Sequence, residues 1–216
     1  SMLLPLTKRN FRIPALYWDN EAGVTASNVA LAGSGIQVEQ CAAGSHQGKI
    51  EVCIRRIKER IRSVMPSVPF VLCSLMIIFL ILSVVRSLNF QTSSTSVRGV
   101  SARQAVLGLQ TNGKTDFRFS FGESATVTVA ETNNDVTRTR VDDCLALCQV
   151  DNSEGSGLFL NLKTGKIVKR SHWELRPTTL ATIDFMNSLA AKEGRSNKTQ
   201  KEFLDKFASE EVYPTE

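Results

Sequence analysis

The sequence predicts an α/β protein in which a helix-rich first half precedes a small antiparallel β domain and C-terminal helices. Three observations carry this prediction. Apolar residues recur every three to four positions across 50–64, they alternate with polar residues from Phe117 onward, and Pro177 ends that alternation. The predicted domains are 1–90, 91–115 as a linker, 116–177 and 178–216.

Composition narrows the class of protein. The chain has 216 residues, 42% hydrophobic and 22% charged, as in a globular protein of one large or two small domains. Its formal net charge of +5 is compatible with a nucleic-acid partner. The five cysteines form no Cys-x-x-Cys pair, which argues against a disulfide framework or a zinc module. A reducing compartment, nuclear or cytoplasmic, is expected.

The first ninety residues alternate short strands with helices. "RIPALYWD" (12–19) and "GIQVEQC" (35–41) are typical of strands, and a short helix between them should end at Gly33 and Gly35. The clearest helix covers 50–64. Its apolar residues form one stripe, which consists of Ile50, Ile54, Ile57, Ile61 and Val64.

The uncharged segment 68–85 has two interpretations. Its 18 residues would make a helix of ~27 Å, enough for a thin membrane, and the cationic residues before it fit the positive-inside rule. Alternatively, it is a core helix, since the stripe of 50–64 needs an apolar partner and this segment is the nearest one. A single-span membrane protein is therefore an alternative to burial.

The second half of the chain predicts a sheet. Four short strands, "FRFSFGESATVTVA", "CLALCQV", "GLFLNL" and "KIVKRSHWEL", are separated by turn sequences, which is typical of a small antiparallel sheet or barrel. One short helix is expected in the linker, at "SARQAVLG" (101–108). Two helices, over about 178–192 and 199–208, should end the chain.

Two carboxylates are candidates for metal chemistry. Asp19 ends a predicted strand and Glu51 lies in the first turns of the basic helix. Carboxylates from two such elements can hold Mg²⁺, and paired metal ions support phosphoryl transfer. The simpler interpretation is that Glu51 pairs with Arg55 four residues later and that Asp19 caps a turn.

The order of these segments resembles a known family. "WDNEAG", followed by "GIQVEQCAAGSHQGKIEVCIRRIKERIR" and the apolar helix, looks like the second half of a retroviral-type integrase core, in particular the integrase region of copia-type LTR retrotransposon polyproteins. "DFRFSFGESATVTVAETN" is similar to a strand pair that follows the core in those elements. The resemblance covers about residues 12–195.

The resemblance implies a partial ribonuclease H-like core followed by a small β-barrel-like domain that helps hold DNA. Asp19 matches the second metal-binding acid and Glu51 the third, so both are candidate catalytic residues and ligands of Mg²⁺ or Mn²⁺. The resemblance also favours burial of residues 68–85 as a core helix. The first acid of the triad has no counterpart, because residues 1–18 contain no Asp or Glu. Metal binding is therefore expected to be weak, and the chain inactive alone.

Two basic groups are candidates for DNA contact. The first follows Glu51 on the helix and the second lies on the last hairpin, where Trp173 is either a base-stacking residue or a core aromatic. The candidate DNA-binding residues are Arg55, Arg56, Lys58, Arg60, Arg62, Lys166, Lys169 and Arg170. The alternative to DNA contact is that these cations form an ordinary solvated surface. A partial ribonuclease H-like core would also expose an edge strand of its sheet, which favours pairing between copies of the chain. A non-enzymatic nucleic-acid-binding module is the main alternative function.

Overall fold

The computed structural model describes residues 11–18, 33, 36–40, 48–92, 99–128, 141–150, 154–198 and 200–202. The chain divides into two compact units, Ser1–Ile54 and Arg55–Glu216. Two short strands and then helices come first along the described residues, and a five-stranded antiparallel sheet dominates the second unit. The predicted mixed α/β class with an antiparallel sheet is confirmed.

The first unit contains a parallel pair of strands. β1 (Ala15–Trp18) pairs with β2 (Gln37–Gln40) in a register that runs from Ala15↔Gln37 to Trp18↔Gln40. A parallel pair cannot be a hairpin, because its two strands run in the same direction. The helix expected to end at Gly33 and Gly35 falls almost wholly outside the described residues.

The helix predicted over 50–64 is present as α1 (Gly48–Val64). Its apolar stripe is buried only toward the C-terminal end. Ile61 is 5% exposed, whereas Ile50 and Ile54 are 49% and 47% exposed. Periodicity identifies the residues that share a helix face, but it does not reveal how far the covering element extends along that face.

The uncharged segment divides into two parts. Met65–Ser67 form a short 3-10 turn at Pro66, residues 68–73 have no regular secondary structure, and α2 begins at Ser74 and ends at Phe90. Proline before and within 68–73 delays the helix, because it lacks an N–H and restricts the residue that precedes it. Among the described residues, no helix is both long and apolar enough to cross a membrane.

The second unit is built on one antiparallel sheet. Its strands are β3 (Ser124–Thr128), β4 (Val141–Gln149), β5 (Gly157–Asn161), β6 (Ile167–Arg170) and β7 (Trp173–Arg176). Their order is β6-β5-β4-β3-β7.

The fourth predicted strand is two strands, because Ser171 and His172 interrupt it. These two residues join β6 to β7, which are opposite edges of the sheet. So short a connection requires the sheet to curl. A hydrogen bond agrees with this curl, since the Arg170 Nε donates to the Thr128 carbonyl at 2.8 Å.

The curled sheet is packed on both faces. α2 and α5 (Leu180–Lys192) cover one face through a helix–sheet core that includes Met76, Leu80, Leu145, Leu160 and Met186. The other face encloses a sheet-interior cluster, which consists of Ala125, Val127, Cys144, Ala146 and Phe159, with Phe119, Val168 and Trp173 packed against them. Burial of this apolar surface is the main stabilising contribution to the unit.

Two short helices lie between α2 and β3. α3 (Ala102–Leu107) is the helix predicted in the linker; the Ser101 hydroxyl accepts the Gln104 N–H at 3.2 Å, and Gly108 follows with φ of 69°. α4 (Gly113–Asp116) was not anticipated.

Asp116 anchors this segment to the rest of the unit. Its side chain, 10% exposed, receives Arg103 Nη1 at 3.2 Å and lies 3.7 Å from Arg86 Nη2 of α2.

Side chains of α5 and of the residues that follow it hold the start of α2. The Asn187 Oδ1 accepts the Val71 N–H at 2.9 Å, the Gln200 Oε1 accepts the Leu72 N–H at 2.8 Å, and the Glu193 Oε2 accepts the Ser74 N–H at 2.7 Å. These bonds satisfy backbone N–H donors of the irregular segment before α2 and of the first residue of α2. Residues 197–198 and 200–202 are also helical, and the rest of the helix predicted over 199–208 lies outside the described residues.

Candidate nucleic-acid interface

The structure describes one of the two candidate metal ligands. Glu51 lies in the first turn of α1 and is half-buried. Asp19 follows the last residue of β1 in the sequence and lies outside the described part of the chain. Within the described ranges, no three His, Cys, Asp or Glu side chains are grouped as a metal site. The binding of Mg²⁺ or Mn²⁺ by Asp19 and Glu51 stays a prediction.

The cations of α1 follow one another from Arg55 to Arg62, and three of the five are exposed. Arg55, Arg56 and Arg60 are exposed, and Lys58 and Arg62 are half-buried. Between residues 55 and 64 they are opposed by a single acid, Glu59. At 100° per residue, the five cations lie on the parts of the helix surface that the stripe of Ile57 and Ile61 leaves uncovered. This arrangement gives a positive helix surface beside an apolar attachment face.

The second basic group lies on the β5–β6 hairpin. Lys163, Lys166 and Lys169 are exposed. The Asn161 Oδ1 accepts the N–H groups of Lys163 and Thr164 at 2.9 Å each, which fixes the turn that carries Lys163 and Lys166, and Lys169 follows in β6. The hairpin therefore presents its charges from a defined backbone.

Arg170 has a structural role as well as a charge. It is half-buried, its Nε donates to the Thr128 carbonyl, and its Nη1 donates to the Lys169 carbonyl at 2.8 Å. A guanidinium has five N–H donors in a fixed plane, so two such bonds leave it able to contact a phosphate as well.

Trp173 belongs to the interior of the curled sheet. Its ring centroid lies 5.4 Å from that of Phe119 and 5.2 Å from that of Phe159. The Arg118 Cζ lies 3.9 Å from the Trp173 ring centroid, a cation–π contact. The geometry favours the core-aromatic interpretation of Trp173, because a base would have to displace Arg118 from the ring.

Arg118 itself was not among the candidates from the sequence. It is exposed, and its Nη1 donates to the Ser171 carbonyl at 3.4 Å, directly after Arg170. The contact joins it to the basic hairpin. The available signal was the run "FRFSF", in which a cation stands between residues of an aromatic alternation.

Comparison with protein-family models gives no match to this chain, and no curated protein matches it significantly.

Proposed function

We propose that the chain is a DNA-binding remnant of a retroelement integrase, inactive by itself as a polynucleotidyl transferase. One observation carries the proposal. The basic helix α1, with Glu51 in its first turn, follows a parallel strand pair whose first member directly precedes Asp19 in the sequence. This order supports a partial ribonuclease H-like core of a copia-type element, and the curled sheet with its basic hairpin supports the DNA-holding domain that follows it.

The exposed cations supply the physical basis for DNA binding. Each phosphate that a Lys or Arg neutralises releases condensed counterions, so the affinity depends steeply on salt and little on sequence. α1 and the hairpin together offer eight candidate cations, and most of them are exposed. Nuclear or cytoplasmic residence and pairing between copies belong to the same proposal.

Duplex DNA binding is tested by replacing cations at matched positions. The triple variant R55Q/R56Q/R60Q should reduce the slope of log K against log salt by about one for each phosphate that is no longer neutralised. The control K192Q/K198Q/K201Q removes the same charge from exposed residues near the C-terminus. If both variants lower the affinity equally, only net charge matters, and α1 is not the binding surface.

The absence of catalysis is tested with a strand-transfer assay. Two carboxylates without the third hold a metal pair poorly, so the isolated chain should not join DNA ends in Mg²⁺ or Mn²⁺. Robust joining would refute the inactive-remnant proposal. Joining that disappears in E51Q would then identify an active site in this chain.

The second candidate function is a non-enzymatic nucleic-acid-binding module. It needs the cations of α1 and the hairpin but not the carboxylates. The variant D19A/E51A discriminates between the two functions. Binding that is unchanged by the substitutions and by divalent cations favours the module, whereas a metal effect that disappears in the variant favours the integrase remnant.

A further inference from the structure

Residues 114–118 present an aromatic surface that the proposed duplex-binding groups do not include. Phe117 is 54% exposed, and Lys114 and Arg118 on either side of it are also exposed. Asp116, the acid of this stretch, is only 8% exposed and pairs with Arg86 and Arg103. The exposed residues of the stretch therefore include an aromatic residue with a cation before and after it in the sequence, and the Arg118 guanidinium lies over the Trp173 ring.

The Phe117 ring rests on a buried support. Its centroid lies 5.3 Å from that of Phe90 at an interplanar angle of 66°, an edge-to-face contact. Phe90 is 6% exposed, and the Cζ atoms of Arg86 and Arg103 lie 4.4 and 4.5 Å from its ring centroid. A ring supported in this way loses little conformational entropy when a second ring stacks on it.

The backbone beside Phe117 is held as well. The Asp116 carbonyl accepts Arg86 Nη1 at 3.1 Å, and the Asp116 carboxylate accepts the Asn112 N–H at 2.7 Å. The orientation of Phe117 toward solvent thus follows from the burial of the residue before it.

An aromatic ring between cations matches the chemistry of an unpaired base and its neighbouring phosphates. Base–aromatic stacking tolerates any sequence because every base has a π face, and cations beside the ring follow the backbone. A duplex keeps its bases stacked inside and offers the ring no base. We propose that Phe117, with Lys114 and Arg118, forms a stacking site for an unpaired base of a single-stranded nucleic acid. The inference rests on the proposed nucleic-acid binding and narrows its substrate to one that includes a single strand.

The test compares fluorescence anisotropy of a labelled oligothymidine and of a labelled duplex of equal length. F117A should weaken single-strand binding about tenfold and change duplex binding less than about twofold, while F117W should retain the single strand. L109A is the matched control, because Leu109 is an apolar residue that is 48% exposed and lies between α3 and α4. K114Q should lower the salt slope on the single strand by about one.

Each other outcome overturns the inference in a recognisable way. If F117A and the natural chain bind the single strand equally well, the stacking inference is refuted, and the proposed duplex-binding function is unaffected. An equal loss on single strand and duplex refutes base stacking. Should F117A fail to fold, F117L keeps the apolar volume with a smaller, non-aromatic surface, and undiminished binding by it refutes the stacking role. If the natural chain binds neither nucleic acid at low salt, the proposed function and this inference fall together. Displacement of the single strand by a proline-rich peptide would assign Phe117 to peptide recognition instead.

Discussion

Glu193 shows how one side chain can fix the start of a helix more than a hundred residues away. Its Oε2 accepts the Ser74 N–H at 2.7 Å and the Ser74 hydroxyl at 2.8 Å, at the N-terminus of α2. The backbone hydrogen bond from Ser74, followed by the bond from its hydroxyl, lowers the pKa of the Glu193 carboxyl from the usual 4.5. A negative charge is also favoured there by the helix dipole.

The linkage between this pKa and stability has a defined sign. Because the carboxyl binds its proton more weakly in the folded chain, its stabilising contribution is present above pH 4.5 and is lost as pH falls through the lower, folded pKa. E193Q should therefore have a lower free energy of unfolding than the natural chain at neutral pH. In acid, the free energies of the two proteins should converge. Urea denaturation across this range measures the difference. E202Q, at an exposed residue in a 4.0 Å pair with Lys198, is the control, and a similar pH profile for both variants would contradict the assignment.

Asp116 illustrates the cost of removing one partner from a buried ionic network. Its carboxylate is 10% exposed and lies between two guanidinium groups, so D116N leaves buried positive charge less compensated. We expect a loss of roughly 3–5 kcal/mol in chemical denaturation. E174Q, at a 70% exposed partner of Arg176, should cost less than about 1 kcal/mol. Equal effects of the two substitutions would show that the Asp116 network is not structural.

At the scale of elements, β5 begins where the sheet interior leaves no room for a side chain. A Cβ on Gly157 would lie 2.6 Å from the Phe119 Cε1 and 2.8 Å from the Phe159 Cε2. Both rings belong to or pack against the sheet-interior cluster, which the curl of the sheet makes narrow.

G157A should therefore destabilise the chain by roughly 1–3 kcal/mol, since overpacking forces rings off their positions. G113A is the control, because nothing lies within 4 Å of the added Cβ at the start of α4. Thermal or urea unfolding distinguishes them. A Gly157 variant as stable as the Gly113 variant would mean that the sheet interior can expand.

The elements themselves were predictable where one local pattern determines them. The stripe of residues 50–64 predicted α1, and alternation predicted most of the sheet. The break at Ser171 was missed because "KIVKRSHWEL" has apolar residues on both sides of the polar run KRSH, and this local pattern contains no information about the curl of the sheet. The cover over Ile50 was overestimated for a similar reason, since burial depends on distant elements.

At the scale of the whole molecule, cysteine reactivity reports on global opening. Burial, assisted by the charges of Asp142 and Asp143, raises the pKa of the Cys144 thiol to about 12. Its thiolate fraction at pH 8 is then about 10⁻⁴, too small for direct attack on a disulfide reagent. Cys73 and Cys148 are buried as well, whereas Cys53 is exposed.

The C41S variant removes the cysteine that lies outside the described residues. In this variant one thiol, that of the exposed Cys53, should react rapidly with Ellman's reagent. Cys73, Cys144 and Cys148 should react only as fast as the protein opens, and urea should accelerate them together. C41S/C53S is the control and should lose the fast phase. A fast phase that survives in this variant would mean that one of the buried positions is accessible in the native state.

The candidate site was predictable only in part. The cations of α1 and the hairpin could be identified from the sequence, because clusters of Lys and Arg are visible without knowledge of their contacts. Arg118 and Phe117 could not be identified in the same way, since their roles depend on contacts with Trp173 and Phe90 that sequence distance conceals. Asp19 and Glu51 depend on geometry between two elements, and a single sequence does not specify it.

The bonds from Asn187, Glu193 and Gln200 to residues 71–74 also bear on synthesis. They span 116 to 128 positions, so the ribosome must add more than a hundred further residues before the start of α2 receives these hydrogen-bond partners. Until then, a largely apolar segment emerges without its C-terminal cover and is available to chaperones or to aggregation. A chain terminated before Asn187 would never acquire that cover.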